Sequence, residues 1–182
     1  MSSFKQIEIE EAQGKTKDLY DTITAGFGGV PNLFKMLGQT PDILEAVLAL
    51  NSGITSGELT AKDVEQIALT VSSINACDYC IATHVEIGSQ FKIPKVELLD
   101  NIQGMSNDSK MRAILNFAKE ATLHRGKVSQ ESINTLHSFN IGNKTIIEIL
   151  TVVGLYTFLN YLNHLTQPVI DFPKVEYAPL QV

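Results

Sequence analysis

Apolar residues recur every three or four positions along almost the whole chain, and no stretch shows the alternating Val-, Ile- and Thr-rich pattern of a strand. This periodicity predicts an all-α fold with helices near 8–25, 41–54, 61–74, 77–90, 94–101, 108–124, 129–138 and 143–163. The intervals between them hold residues that stop helices. Gly26-Phe27-Gly28-Gly29-Val30-Pro31 ends the first, Ser56-Gly57-Glu58 separates the second from the third, and Ile93-Pro94 opens the fifth. Residues 168–182 contain three prolines and are expected to run extended, over the surface or over a neighbouring subunit.

With 182 residues, 44% of them hydrophobic, the chain can bury one well-packed core and is read as a single domain, 1–182. A shift of 83 residues lays Val64-Glu65-Gln66-Ile67-Ala68-Leu69 on Ile147-Glu148-Ile149-Leu150-Thr151-Val152, and Cys77 and Cys80 on Asn160 and Asn163. Either one helical hairpin is used twice, at 61–90 and 143–167 with thiols in the first copy only, or two amphipathic helices look alike.

Charge narrows the partners. Fourteen basic residues against 20 acidic ones give a net charge of −6, and the basic residues are scattered, which argues against nucleic acid. No run of eighteen apolar residues is present, and Met1-Ser2-Ser3-Phe4-Lys5-Gln6-Ile7-Glu8 lacks the apolar stretch of a signal peptide. A cytoplasmic location without a membrane partner is the expectation. Two cysteines permit at most one intramolecular disulfide, so the chain is no disulfide-stapled secreted fold.

Those cysteines carry the candidate chemistry. In Cys77-Asp78-Tyr79-Cys80 one sulfur can act as nucleophile while the other attacks the adduct and closes a disulfide. On a helix, Cys77, Cys80 and His84 fall within roughly 60° of arc. Glu65 would lie about 18 Å from Cys77 on an unbroken helix. Asn75 is expected to act as a left-handed C-terminal cap, so that the chain turns back and an antiparallel hairpin brings Glu65 level with His84. A carboxylate, an imidazole and a thiol could then form a relay. Partial burial is expected to raise the Glu65 pKa, and the helix start together with His84 to lower that of Cys80, the sulfur nearer His84 by spacing. Tyr79 is read first as packing and second as a phenol that meets an incoming oxygen. His124, His137 and His164 look ordinary, although His164 would approach the site if the second hairpin packs on the first.

Other chemistries fit the same residues. Cys77, Cys80 and His84 could ligate a metal with Glu65 or water as fourth ligand, though finger-like spacing is lacking, and the chain is read as having no metal and no cofactor. A non-catalytic redox sensor, in which the disulfide changes assembly, is a further alternative.

The pattern Glu65-x11-Cys77-x2-Cys80-x3-His84 resembles the alkyl hydroperoxidase D-like part of the carboxymuconolactone decarboxylase family. Gly29-Val30-Pro31-Asn32-Leu33-Phe34, Phe158-Leu159-Asn160-Tyr161-Leu162-Asn163-His164 and Asp171-Phe172-Pro173 look like its peroxidase-related branch. The resemblance implies an all-α fold assembled as homotrimers or homohexamers, and a peroxidase that reduces a hydroperoxide and is recycled by a dithiol or disulfide-reductase electron donor. It implies Cys80 as the peroxidatic thiol, Cys77 as the resolving thiol, and Glu65 with His84 as proton relay. The decarboxylase chemistry of the wider family would leave the thiols idle. One departure is Tyr79, where the best-known pattern has a histidine; a proton shuttle at that point is weakened or lost.

Overall fold

The computed structural model describes residues 4–178 and 180, so the first three residues and the tail positions 179, 181 and 182 lie outside the described residues. A 3₁₀ turn, Ile9–Glu11, precedes α1 (Gly14–Phe27), α2 (Asn32–Leu37), α3 (Pro41–Thr55), α4 (Ala61–Ile74), α5 (Asp78–Gln90), α6 (Lys95–Ile102), α7 (Ser109–Leu123), α8 (Gln130–Ser138) and α9 (Asn143–Thr166). Among the described residues no strand forms, and the fold is all-α as the periodicity requires.

Two differences at the N-terminal end have local causes. The first helix starts at Gly14 rather than at 8, because Gly14 adopts φ +52°, which breaks the helical path from the 3₁₀ turn. The six-residue α2 was not expected. Its first N–H, on Asn32, is satisfied by Asp171 Oδ2 at 2.8 Å, a cap supplied from the far end of the chain.

The centre of the fold is α4. It packs against α5, α6, α7 and α9, and from Val64 to Ser73 only Gln66 is not fully buried. Its start is fixed by a reciprocal capping box in which Thr60 Oγ1 accepts from Asp63 N–H and Asp63 Oδ2 accepts from Thr60 N–H. At its end Ala76 N–H donates to Ser73 C=O and Cys77 N–H to Ser72 C=O, a Schellman arrangement that reverses the chain into α5. The left-handed residue of this turn is Ala76, at φ +53°, and not Asn75, at φ −81°. Asn75 instead donates its side-chain N–H to Asn160 Oδ1 on α9.

The segment expected as a second hairpin, 143–167, is one continuous helix, α9. By length and composition α9 would pass for a membrane span, which the absence of an unbroken apolar run did not foretell. Its inward face, with Ile149, Val152, Leu159, Asn160 and Asn163, is packed into the protein against α4, α7 and α3. A smaller apolar cluster of Leu69, Ile81, Ile93, Leu98 and Ile102 joins α4, α5 and α6, and Val175 and Tyr177 of the tail pack onto it. The described part of the tail therefore lies on its own chain, strapped over the start of α5.

Candidate active site

The hairpin turn sets the first pair of groups side by side. Cys77 is the N-cap of α5, and its sulfur accepts the Cys80 N–H at 3.4 Å. Both cysteines are reduced and buried, with their sulfurs 2.8 Å apart. Across the hairpin, His84 Nδ1 meets Glu65 Oε2 at 2.6 Å, both side chains buried, and the imidazole stands edge-on to the Tyr156 ring with centroids 4.5 Å apart. The fold thus brings Glu65 level with His84, as the turn predicts. The third link is not closed: no hydrogen bond joins His84 to Cys80, but both line one cavity of about 270 Å³. That cavity also touches Glu65, Phe34, Val64 and Tyr156, and Cys77 is not in its wall.

Access and charge therefore favour different sulfurs. The hydrogen bond with Cys80 lowers the Cys77 pKa to about 7 against the cost of burial, helped by the Cys80 backbone N–H, the Asn163 amide and the positive side of His164. The same hydrogen bond, with burial and the nearby Cys77 charge, pushes Cys80 well above the usual thiol range. This corrects the expectation of a lowered Cys80. The physical reason is that the helix-start N–H points at Cys77, while His84 is turned onto Glu65.

Tyr79 faces neither sulfur with its hydroxyl. The phenol donates to Asp171 Oδ1 at 2.7 Å and accepts the Leu33 N–H at 3.1 Å, and its ring packs edge-on against Phe172. Burial raises its pKa, so it stays neutral. The two flanking motifs, around Pro31 and around Asp171, meet at this one hydroxyl.

The wall facing the pair comes from α9, and sequence reasoning assigned its asparagines no role. Asn163 Nδ2 lies 3.0 Å from Cys80 Sγ and 3.7 Å from Cys77 Sγ. Asn160 donates to Ser72 Oγ at 3.1 Å, and His164 Nε2 meets the Asn75 carbonyl at 2.7 Å. The sequence signals for these residues are the 158–164 motif that contains them and the 83-residue register, which sets Asn160 and Asn163 opposite Cys77 and Cys80, and neither assigns them a role. His164 does approach the site, by way of a single helix. Among the described residues Cys77, Cys80 and His84 do not gather into a metal-ligating group.

Residues 41–122 match the model of the carboxymuconolactone decarboxylase family, a segment that contains Glu65, Cys77, Cys80 and His84. The fold is shared with solved structures at low identity. An alkylhydroperoxidase AhpD core, an uncharacterized peroxidase-related protein from Ralstonia eutropha, superposes with a TM-score of 0.82 at 19% identity, covering 94% of this chain and 92% of that one. A cysteine-to-alanine variant of the debrominase Bmp8, in complex with 2,3,4-tribromopyrrole, gives 0.81 at 19% identity over 94% and 92% of the two chains. An uncharacterized peroxidase-related protein from a Silicibacter species gives 0.79 at 22% identity over 91% and 90%. A search of curated proteins finds no significant match.

Proposed function

We propose that this chain, whose 41–122 segment is of the carboxymuconolactone decarboxylase family, is a thiol-dependent oxidoreductase that reduces organic hydroperoxides. The observation that carries the reading is the apolar cavity that opens onto Cys80 with the Glu65–His84 pair in the same wall. Cys80 attacks the terminal oxygen of R–O–OH: the S–O bond forms, the O–O bond breaks, and RO⁻ leaves, taking a proton from His84 to become ROH. Glu65 holds the imidazole through Nδ1 and leaves Nε2, which has no hydrogen-bond partner among the described residues, for a group in the cavity. Cys77 then attacks the Cys80 sulfenic acid, expelling hydroxide that is protonated to water, and the Cys77–Cys80 disulfide forms. A dithiol donor returns two electrons and two protons.

The cavity wall holds Phe27, Phe34, Leu48, Ile87, Phe91 and Leu155, and no lysine or arginine, which suits a neutral organic hydroperoxide better than hydrogen peroxide or an anionic one. A reducing cytoplasmic setting is part of the proposal, because there a CxxC pair can be returned to the dithiol after each turnover. A homo-oligomer, trimer or hexamer, is part of the proposal; Ile147, Leu150, Phe158, Tyr161 and Leu165 form an exposed apolar stripe along α9 that such an assembly would cover.

Turnover of cumene hydroperoxide and of hydrogen peroxide, each with a panel of dithiol donors, tests the activity. The expected result is donor-dependent consumption with the organic substrate preferred. No consumption with any donor would end the proposal.

The aromatic wall supports one second reading. A halogenated aromatic could occupy the cavity, with the thiolate taking the halogen as its cation equivalent, the ring carbon gaining a proton, and the second thiol displacing halide to form the same disulfide. Bromide release from a bromopyrrole, without hydroperoxide turnover, would favour it.

A further inference from the structure

The sulfur with the lower pKa is Cys77, yet the cysteine in the cavity wall is Cys80. Charge must therefore pass from one to the other before attack. One side chain touches both. The Asn163 amide carries two N–H donors and lies closer to Cys80, 3.0 Å, than to Cys77, 3.7 Å.

Its placement is unfavourable for stability alone. Asn163 is buried on α9, one turn after the buried Asn160, and among the described residues its Oδ1 has no hydrogen-bond partner, an arrangement that costs free energy and that a leucine would avoid. Asn160, one helical turn before it, is tied to Ser72 and Asn75 and also favours the Cys80 thiolate, but it does not act on Cys77, so Asn163 is the amide placed between the two sulfurs.

We propose that Asn163 is a catalytic residue whose side-chain amide shifts the negative charge of the thiol pair onto Cys80, the sulfur that faces the cavity. This rests on the reading of Cys80 as the attacking thiol. Protein N–H donors aimed at a thiolate in a buried site stabilise it without reorganisation, as donors do for other anions formed during catalysis. Other titratable groups act on the pair from every side: His164 on α9 acts on Cys77, Asp78 and Tyr177 meet at the start of α5, Tyr79 and Tyr156 feel the Cys80 charge, and His84 with Glu65 lies farther along the cavity wall. None of these donates a hydrogen bond to Cys80.

Single-thiol backgrounds isolate the effect. Ultraviolet thiolate absorbance, followed against pH, reads Cys80 alone in Cys77→Ser and Cys77 alone in Cys80→Ser. Adding Asn163→Leu or the isosteric Asn163→Asp is expected to raise the Cys80 midpoint by about one pH unit, about tenfold in thiolate fraction at neutral pH. The Cys77 midpoint should move less, following the longer contact. Asn163→Leu should also melt no lower than the parent, since it removes an unpartnered buried oxygen. The proposal is overturned if, in the folded variants, the Cys80 midpoint stays in place or moves no more than that of Cys77. A Cys80 shift in a protein that consumes no hydroperoxide would support the Asn163 assignment and count against the peroxidase reading.

Discussion

On the α4–α5 hairpin the polar groups of the site bond to one another, Glu65 to His84 and Cys77 to Cys80, whereas on α9 and the tail they bond across to the hairpin. Asn163 reaches the sulfurs, Asn160 and His164 reach the hairpin turn, and Asp171 and Tyr177 hold Tyr79 and Asp78, the two residues between the cysteines. The reactive groups sit on one short stretch of chain, so their mutual geometry is set by a single turn. The groups that tune them come from far along the chain and depend on tertiary packing. The hairpin should accordingly govern whether chemistry occurs, and the distant wall how well it is poised.

The largest effect that would test this division falls on the thiols. Cys80→Ser is expected to abolish hydroperoxide consumption, while Cys77→Ser should complete one O–O cleavage and leave a Cys80 sulfenic acid that a dimedone-type probe and mass spectrometry detect. If Cys80→Ser kept parental turnover, the hairpin would lose its claim to the chemistry.

Next in size is the acid–base pair. Glu65→Gln keeps the shape of the side chain but removes the charge that orients His84 at 2.6 Å. It should lower kcat by about 10²–10⁴-fold, the range for a general acid–base group, with little change in melting temperature. A loss confined to KM would place the pair in binding instead.

How much of this was legible follows the same division. Glu65, Cys77, Cys80 and His84 could be read because their spacing, with one turn, fixes their relative positions. The order of thiol acidity could not, because it depends on how the two thiols share one hydrogen bond and on where the Cys80 N–H points, and neither is encoded in i, i+3 spacing. Helix α2 escaped notice because its N-terminal partner, Asp171, is 139 residues away. Asn163 escaped because an asparagine on an apolar helix carries no local mark of what it faces.

The tail offers a smaller and more selective test. Asp171→Ala removes the acceptor of the Tyr79 hydroxyl and of the Asn32 N–H together. A buried phenol and a helix-start N–H left unpaired should cost about 1–3 kcal/mol in denaturant unfolding. Since α2 contributes Leu33 and Phe34 to the cavity wall, KM for the organic hydroperoxide should rise more than kcat falls. Asp171→Asn, which keeps an acceptor oxygen, should recover part of both. Equal loss in kcat and kcat/KM would mean that the tail acts on the chemistry directly, and the division would blur.

The smallest effect concerns the turn on which the hairpin depends. Ala76 sits at φ +53°, a conformation that costs an L-residue with a Cβ about 1–2 kcal/mol. Glycine relieves that strain but gains freedom in the unfolded chain worth about 0.4–1 kcal/mol, so Ala76→Gly should stabilise the protein by about 0.5 kcal/mol net. Chemical denaturation of the two proteins side by side resolves a difference of that size only through a shift in midpoint at constant slope. Activity should stay at the parental level, because the Schellman bonds from Ala76 and Cys77 to Ser73 and Ser72 use the backbone alone. If the glycine variant gained stability and lost turnover, the strained Ala76 would itself be holding Cys77 in place against Cys80, and the turn would belong to the site as well as to the fold.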